Sequence, residues 1–450
     1  MENDDRDNQN FEPDPIQRKK EKAAAELAAE EQRKAEKRKN RTRFWAGVVV
    51  GLSCSVVVVT LVLVGRSFLK FIYYQQNPLQ AQGQQLEFSE DSAITPTMVS
   101  KLQGLETIID QLYSLGEVDE ETLETGIYKG MIAALEDPYS EYYTAEELTD
   151  LLEQAEGIYY GIGIYIGQDA TTSLPKVSGV IAGTPAEAAQ LRENDLIYEV
   201  DGVATYGLSL DETVVMIKGE EGTEVVLTIY REGESDYLKI PVTRAKVESP
   251  TVVFEMLDET TAYIEIVEFD DVTLDQFTEA MAMAKGSGME GLIIDLRSNP
   301  GGNLDTVVEI ARMLLPEGLI VYTEDKYGER VEYTCDGKRE LDVPLVVLID
   351  MNSASASEIL AGAVQDYGIG TLVGTTTFGK GIVQQILPFN DGSAMKLTIS
   401  SYYTPSGRNI HGVGIEPDVI CEFDGEAYYD EVNPVDNQLE KAREVLKSLQ

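Results

Sequence analysis

The chain has 450 residues, 43% hydrophobic and 26% charged, so it is expected to fold into two or three domains rather than to stay disordered. Its 79 acidic and 36 basic residues give a formal net charge of -43, which argues against nucleic acid as a partner because a polyanion needs a basic face. The single histidine, His411, disfavours a multi-histidine metal site and a histidine-based triad, and no metal or cofactor is expected.

The first predicted element is a membrane span. Residues 1–43 form a charged leader that ends in a basic cluster, and residues 44–65 follow as 22 residues without a charge. At the helical rise this run is about 33 Å long, enough for one crossing of a cell membrane. The basic flank favours a cytoplasmic N-terminus, which places everything beyond a polar linker at 66–95 outside the cytoplasm. A cleaved secretory signal is the alternative, although the leader is long for one.

Residues 96–156 are predicted to form a small helical unit. Apolar side chains recur at helical spacing from Leu102 to Tyr113 and again from Leu123 to Leu135, before Asp137 and Pro138 end the pattern. We expect this unit to pack on a larger domain.

Residues 157–246 change to short strand-like runs separated by turn residues. Helices are predicted to begin at Thr184 and Ser209, each followed three residues later by a glutamate as in a capping box. The stretch GTPAEAAQLRENDLIYEVDG resembles the hallmark of PDZ domains. The resemblance implies that a peptide's terminal carboxylate binds the loop formed by Tyr160, Gly161, Ile162 and Gly163. Backbone N–H groups beside a strand edge suit that task, although a lone Gly-x-Gly more often marks a bulge.

Residues 247–450 alternate apolar runs with helical segments, which indicates βα units around a buried sheet and a C-terminal helix. The whole chain is therefore expected to be multidomain α+β. It would comprise an N-terminal transmembrane helix, a small helical unit, a PDZ-like β module and a mixed α/β core.

Three segments of this last region carry candidate chemistry. Asn299 to Gly302 joins a strand to a helix, where glycines can leave N–H groups free for a developing oxyanion or can simply form a tight turn. Asn352 to Glu358 holds three serines where a strand gives way to a helix. Ser355, at the turn itself, is the best geometric candidate, while Ser353 could be a cap and Ser357 could lie inside the helix.

The third segment, Thr377 to Gly381, places Lys380 between glycines, with Gln384 shortly after. Burial would disfavour the ammonium of Lys380, lower its pKa and make it a general base. Most lysines are simply exposed, so a catalytic role for Lys380 is supported only if a serine partner lies nearby.

These segments occur in an order that resembles the carboxyl-terminal processing proteases, also called tail-specific proteases, of serine peptidase family S41. The likeness extends from about residue 97 to the end of the chain. It rests on the blocks DPYSEYY (137–143), the PDZ stretch, DLRSNPGG (295–302), NSASASEILAGAVQD (352–366), GTTTFGKGIVQ (374–384) and YYTPSGRNIHGVGIEPD (402–418).

The resemblance implies a role for each matching residue. Ser355 would be the nucleophile, Lys380 the general base and Gln384 the group that orients the lysine. Gly301 or Gly302, together with the N–H of Ala356, would form the oxyanion hole. His411 stands where the family block leads us to expect glutamine, and it is placed outside the catalytic set.

The resemblance further implies a serine endopeptidase that cleaves protein or peptide substrates near their C-termini. The alternatives are a non-catalytic PDZ scaffold and a nucleotide-binding protein, because 374–380 fits the opening of a phosphate-binding loop. Gly381 stands where that loop needs Ser or Thr. The oligomeric state, a homodimer included, and pairing of Cys335 with Cys421 stay open.

Overall fold

The computed structural model describes residues 93–338, 341–430 and 432–450. The predicted leader and membrane span, and all but the end of the predicted linker, lie outside this part of the chain. Among the described residues, no helix combines the length and the apolar character that a membrane crossing needs.

Helices occur throughout the described ranges. They are α1 Pro96–Leu112, α2 Glu120–Ala133, α3 Ala145–Glu156, α4 Pro185–Ala188, α5 Leu210–Ile217, α6 Thr273–Gly286, α7 Leu304–Arg312, α8 Ala356–Tyr367, α9 Gly425–Tyr428 and α10 Asn437–Leu449.

Strands form four hydrogen-bonded groups in the same ranges. They are β1 Glu141–Tyr143, β2 Ile158–Gly161, β3 Ile164–Gln168, β4 Pro175–Val180, β5 Leu196–Val200, β6 Val203–Ala204, β7 Glu224–Tyr230, β8 Leu238–Thr243, β9 Ala245–Glu248, β10 Val252–Met256, β11 Thr261–Ile266, β12 Gly291–Asp295, β13 Gly318–Asp325, β14 Arg330–Cys335, β15 Leu345–Ile349, β16 Gly370–Gly374, β17 Ile382–Pro388, β18 Ala394–Tyr403 and β19 Val419–Ile420.

The two predicted N-terminal helices are present as α1 and α2. Each begins at a capping side chain, Thr95 in α1 and Asp119 in α2, which accepts a hydrogen bond from the first turn. The expected packing on a larger domain holds only in part. α2 lies against β1, where the rings of Tyr128 and Tyr142 are 5.1 Å apart, but α1 buries none of its residues and leaves Leu112 75% exposed.

The β module has its own core. Its antiparallel sheet has the order β3-β4-β5-β7-β8, with β6 beside β5. The capping box predicted at Ser209 is formed with Glu212. The one predicted at Thr184 is absent, because the Thr184 hydroxyl donates to the carbonyl of Ile181 instead and Glu187 accepts from the N–H of Gly183.

The predicted βα units are confirmed in a six-stranded sheet with the order β10-β11-β12-β15-β16-β19. All its pairings are parallel except that of β10 with β11. In β12, Leu292 and Ile294 pack with side chains of α6, α7 and α8, whereas Ile293 packs on the other face with α10. The central strands β12 and β15 are thus buried on both faces, as expected of a parallel sheet.

A second sheet of the core was not predicted. β18 pairs along one edge with β17, and along its other edge with β1 and then β13, which pairs in turn with β14. Its strands come from distant parts of the chain, so only the folded structure brings them together. Cys335 and Cys421 are both free cysteines, so the pairing left open above is not formed.

Candidate active site

The three segments singled out from the sequence meet at one edge of the parallel sheet. The glycine loop follows β12, the serine turn follows β15 and the lysine loop follows β16, and these three strands are neighbours. The carboxyl ends of adjacent parallel strands are where α/β folds commonly build their sites. Backbone hydrogen bonds join the loops, from Ala354 N to Asn299 O (3.0 Å) and from Phe378 N to Ser353 O (3.0 Å).

Ser355 is the residue directly before α8, and its backbone is strained. Its φ of 53° and ψ of -111° fall outside the regions that non-glycine residues normally occupy. A sharp strand-to-helix turn of this kind presents a nucleophilic serine in other hydrolases. The turn needs a glycine beside it, because a Cβ on Gly301 would lie 2.7 Å from the Cβ of Ser355.

The structure separates the three serines that the sequence left in competition. The Ser353 hydroxyl donates to Leu296 O at 2.8 Å and the Ser357 hydroxyl to Asn299 O at 3.1 Å, and both residues are fully buried. Ser355 is only half-buried. The geometry therefore favours structural roles for Ser353 and Ser357, and leaves Ser355 as the accessible serine of this turn.

A buried carboxylate that sequence reasoning missed ties the serine turn to the lysine loop. Glu358 accepts hydrogen bonds from the N–H groups of Ser355 (2.9 Å), Gly379 (2.7 Å) and Lys380 (2.8 Å), and from the hydroxyl of Thr377 (2.6 Å). The available signal was the spacing of Ser355 and Glu358, a serine followed three residues later by a glutamate at a helix start.

Tyr402 also links the serine turn to the lysine loop. Its hydroxyl lies within hydrogen-bond distance of two carbonyl oxygens, that of Ser355 (3.0 Å) and that of Lys380 (2.6 Å). The side chain is almost completely buried, which raises the pKa of the Tyr402 hydroxyl well above its ordinary value. It therefore stays protonated and acts as a donor.

Lys380 is half-buried, and its Nζ lies 4.8 Å from the centre of the Tyr139 ring. Burial lowers the pKa of Lys380 below its ordinary value of 10.5, and the positive charge of Lys396 lowers it further. Asp137 and Glu358 act in the opposite direction without reversing the shift. The neutral amine is therefore more populated than in an exposed lysine.

The remaining predicted catalytic residue, Gln384, lies on β17. The side-chain nitrogen of Gln384 donates to the hydroxyl of Thr398 at 3.2 Å, and no hydrogen bond joins Gln384 to Lys380 in the described structure. His411, placed outside the catalytic set, is exposed beside the lysine loop, where its N would lie 2.6 Å from a Cβ on Gly381.

The two candidate oxyanion glycines differ. The N–H of Gly301 already donates to Oδ1 of Asn299 at 2.8 Å. Gly302 is exposed with a φ of 134°, and neither its N–H nor that of Ala356 donates to another described residue. The geometry thus favours the Gly302–Ala356 pair, and a Cβ on Gly302 would collide with Phe269 O at 2.4 Å.

The candidate carboxylate loop of the β module leads directly into β3. That strand is an edge of its sheet and lies beside α5. Tyr160 is exposed and Ile162 is buried in the module's core. The N–H groups of Ile162 and Gly163 donate to no described residue, while their carbonyls accept from Ala186 N (2.8 Å) and Ile181 N (3.0 Å).

Comparisons with known proteins agree with this architecture. The family model described as Peptidase family S41 matches residues 260–421, that of a PDZ domain matches 176–231, and that of the activating protease CtpB N-terminal domain matches 61–147.

Two curated relatives match along most of their length. The carboxyl-terminal-processing protease of Synechocystis sp. is 35% identical over 70% of this chain and 75% of that protein. The carboxy-terminal processing protease CtpA of Bacillus subtilis is 33% identical over 72% of this chain and 70% of that protein. Among solved structures, the photosystem II D1 C-terminal processing protease is 28% identical, covering 73% of this chain and 94% of that chain with a TM-score of 0.44. On the strength of the sequence relatives, the chain belongs to the carboxyl-terminal processing proteases of family S41 and is a serine peptidase that carries a PDZ domain.

Proposed function

We propose that this peptidase cleaves proteins near their C-terminal tails with Ser355 as nucleophile and Lys380 as general base. The observation that carries the proposal is the Glu358 carboxylate, which binds the N–H groups of both residues at once. A single buried group thereby fixes the serine turn relative to the lysine loop. The lowered pKa of Lys380 supports its role, because only a neutral amine can accept the serine proton.

The chemistry follows from these positions. Ser355 Oγ attacks the scissile carbonyl carbon while its proton passes to the Lys380 amine. The N–H groups of Gly302 and Ala356 stabilise the resulting oxyanion. The ammonium then protonates the departing amine, which leaves an acyl-enzyme and a neutral lysine. Lys380 next activates a water that hydrolyses the acyl-enzyme and restores Ser355.

Gln384 would orient the lysine in this scheme. Its amide nitrogen donates to Thr398 on the neighbouring strand, so Gln384 would orient Lys380 after a rotation of its side chain or through a bridging water. Catalytic hydrogen bonds often tighten only when substrate is bound.

The PDZ domain would read the substrate's free C-terminus. β3 offers an unpaired strand edge for the tail's backbone, and the Tyr160–Gly163 loop before it offers N–H groups for the carboxylate. Replacing Gly163 is a poor test, because any side chain there would meet Thr184 at 2.4 Å. A peptide with a free carboxylate and its amidated twin test the idea without altering the protein. Equal kcat/KM for the two would show that the carboxylate is not read.

We also propose that residues 44–65 anchor the protein in the cell membrane with the catalytic part outside. The support is the uncharged run and the basic flank before it. Protease added to intact cells should then digest the region after residue 95. Complete protection of that region would contradict the proposed orientation.

The decisive test of the catalytic pair compares Ser355→Ala and Lys380→Ala with Ser357→Ala. The first two should lose nearly all peptidase activity, since members of a catalytic pair act as a unit. Ser357→Ala removes a buried structural hydroxyl from α8 and should keep most of the activity. Full activity in either of the first two variants would refute the assignment. A wild-type protein that cleaves nothing and resists a serine-directed probe would instead be a non-catalytic PDZ scaffold.

A further inference from the structure

The outer edge of β17 is an open strand edge that begins beside the proposed base. β17 starts two residues after Lys380 and pairs with β18 alone among the described strands. An unpaired edge offers a row of backbone N–H and C=O groups to any extended chain that approaches it.

β17 and β18 form an antiparallel hairpin, and a hydrogen bond at each end of it shows which backbone groups of β17 point toward β18 and which point away. Tyr402 N donates to Gly381 O at 3.0 Å, and Phe389 N donates to Ser393 O at 2.7 Å. The register shifts between Val383, which pairs with Ser400, and Gln384, which pairs with Thr398, so the extra residue lies on β18 and β17 keeps its regular alternation. The backbone groups of the odd-numbered residues from 381 to 389 therefore point toward β18. The backbone groups of Ile382, Gln384 and Ile386 therefore face away from β18, and they make no backbone hydrogen bond within the described structure.

Pro388 is consistent with this alternation. It falls on the outward set, where the missing N–H costs no ladder hydrogen bond, which is where proline is tolerated in a strand. The open edge thus runs from Ile382 to Ile386 and ends at Pro388.

The second sheet has another open edge, and the two differ in charge. At β14 the outward-facing residues include Arg330 and Glu332, since Asp325 N donates to Glu329 O and the alternation follows from there. Charged residues are a common means of keeping an edge from pairing with other chains. β17 carries no charged residue from Ile382 to Pro388. The β14 edge is therefore protected by charge against pairing with another chain, whereas the β17 edge is not.

We propose that the β17 edge binds the substrate polypeptide as an added strand and leads it to Ser355. The inference rests on the proposed function and adds to it the surface on which the chain to be cut is held. The occupant is an extended segment next to the scissile bond, held through its backbone and therefore with little dependence on its sequence. From Lys380 to Ile386 the strand covers about 20 Å, so about six substrate residues on one side of the scissile bond reach Ile386.

The test uses peptide amides, so that recognition of a free C-terminus does not contribute. In the unmodified protein, N-methylation of successive substrate residues on the paired side should lower kcat/KM at every second residue. Loss of one backbone hydrogen bond should cost about tenfold or somewhat less. Insensitivity at all positions, or an effect without alternation, would overturn the proposal.

A protein variant gives the complementary measurement. Ile386→Pro removes one outward N–H and should reduce the ratio of kcat/KM for a twelve-residue peptide to that for a peptide too short to reach Ile386 by about tenfold. The matched control is Glu332→Pro, which removes an outward N–H from the protected edge and should leave the ratio unchanged. An unchanged ratio in a folded Ile386→Pro protein would contradict the proposal, and the N-methyl series decides the matter if that variant does not fold. Failure of the proposed function would look different, because the unmodified protein would then cleave neither peptide.

Discussion

Two buried carboxylates of the core, Glu358 and Asp270, differ in the hydrogen bonds that they accept. Glu358 has no exposed surface and accepts four hydrogen bonds from the serine turn and the lysine loop. Asp270 is 5% exposed, and its carboxylate accepts none from the described residues. Burial raises the pKa of Asp270 to about 7, with the neighbouring charges of Glu268 and Asp271 adding to the shift.

The surroundings explain why this difference matters. Asp270 lies on the loop that supports the glycine segment, since Phe269 N donates to Gly301 O at 2.8 Å and Asn303 N to Phe269 O at 2.6 Å. A Cβ on Gly157, where the chain turns from α3 into β2, would lie 3.0 Å from the Asp270 carboxylate. The serine turn and the lysine loop are therefore linked by a carboxylate whose hydrogen bonds are all made within the protein. The loop that contacts the glycine segment instead carries a carboxylate whose pKa is raised to about 7.

The largest expected effect on activity and stability comes from removing the Glu358 carboxylate. In Glu358→Ala, four donors lose their acceptor, and a buried donor left unpaired costs about 1–3 kcal/mol. We expect kcat/KM to fall at least about a hundredfold, and the free energy of unfolding in urea to fall by about 3 kcal/mol or more.

The matched control for that variant is Glu309→Ala, a partly exposed glutamate of α7 whose nearest cation is Arg312. It should change stability by less than about 1 kcal/mol. Retention of normal activity by Glu358→Ala would show that the serine turn and the lysine loop do not depend on this tie.

The next effect is a change in how stability depends on pH. The folded-state pKa of Asp270 is about 7, above the ordinary value of 3.8, so the folded protein binds a proton that the unfolded chain releases earlier. Its contribution is therefore complete below about pH 4 and is lost as the pH rises through 7. Asp270→Asn cannot ionise and should be more stable than the unmodified protein above pH 7, by on the order of 2 kcal/mol.

Urea unfolding from pH 5 to 8 measures this difference. It should grow with pH for Asp270→Asn. The matched control is Glu279→Gln, which changes an exposed residue of α6. If the free energies of unfolding of Asp270→Asn and the unmodified protein change in parallel with pH, Asp270 does not titrate in this range. The proposed difference between Asp270 and Glu358 would then be wrong.

The sequence predicted the parts of this site that are local in the chain. The strand–loop–helix rhythm led to the parallel sheet, and glycines, serine and lysine at strand ends marked the three loops that meet. Gly301 and Gly302 could not be told apart, because the difference lies in the Asn299 side chain that occupies one N–H. The spacing of Ser355 and Glu358 could have predicted the hydrogen bond between them, but nothing in the neighbourhood of Glu358 predicted donors from residues 377–380.

The second sheet and Tyr402 were beyond sequence reasoning for a related reason. β18 pairs with strands from as far away as Glu141, and such pairings depend on the closed fold rather than on local periodicity. Tyr139 belongs to the same case, since it reaches Lys380 only because β1 joins this sheet.

The smallest predicted effect concerns that tyrosine. An aromatic face stabilises the ammonium form of Lys380 and so opposes the lowering of its pKa. Tyr139→Leu keeps the apolar cover but removes the ring, and it should shift the midpoint of the pH–activity profile downward by about 0.5 pH unit. Tyr139→Phe retains the ring and is the control. An upward shift in the leucine variant would mean that the ring acts chiefly by excluding water.

The central claim is that the Lys380 amine is the base for Ser355. Its most direct test is the rate at which a fluorophosphonate labels Ser355 as a function of pH, in the unmodified protein and in Lys380→Ala. The unmodified protein should show one rise, with a midpoint below the ordinary lysine value of 10.5, because burial lowers the pKa of Lys380. The alanine variant should lose both the fast labelling and that rise. Equal labelling rates and identical pH profiles in the two proteins would contradict the account.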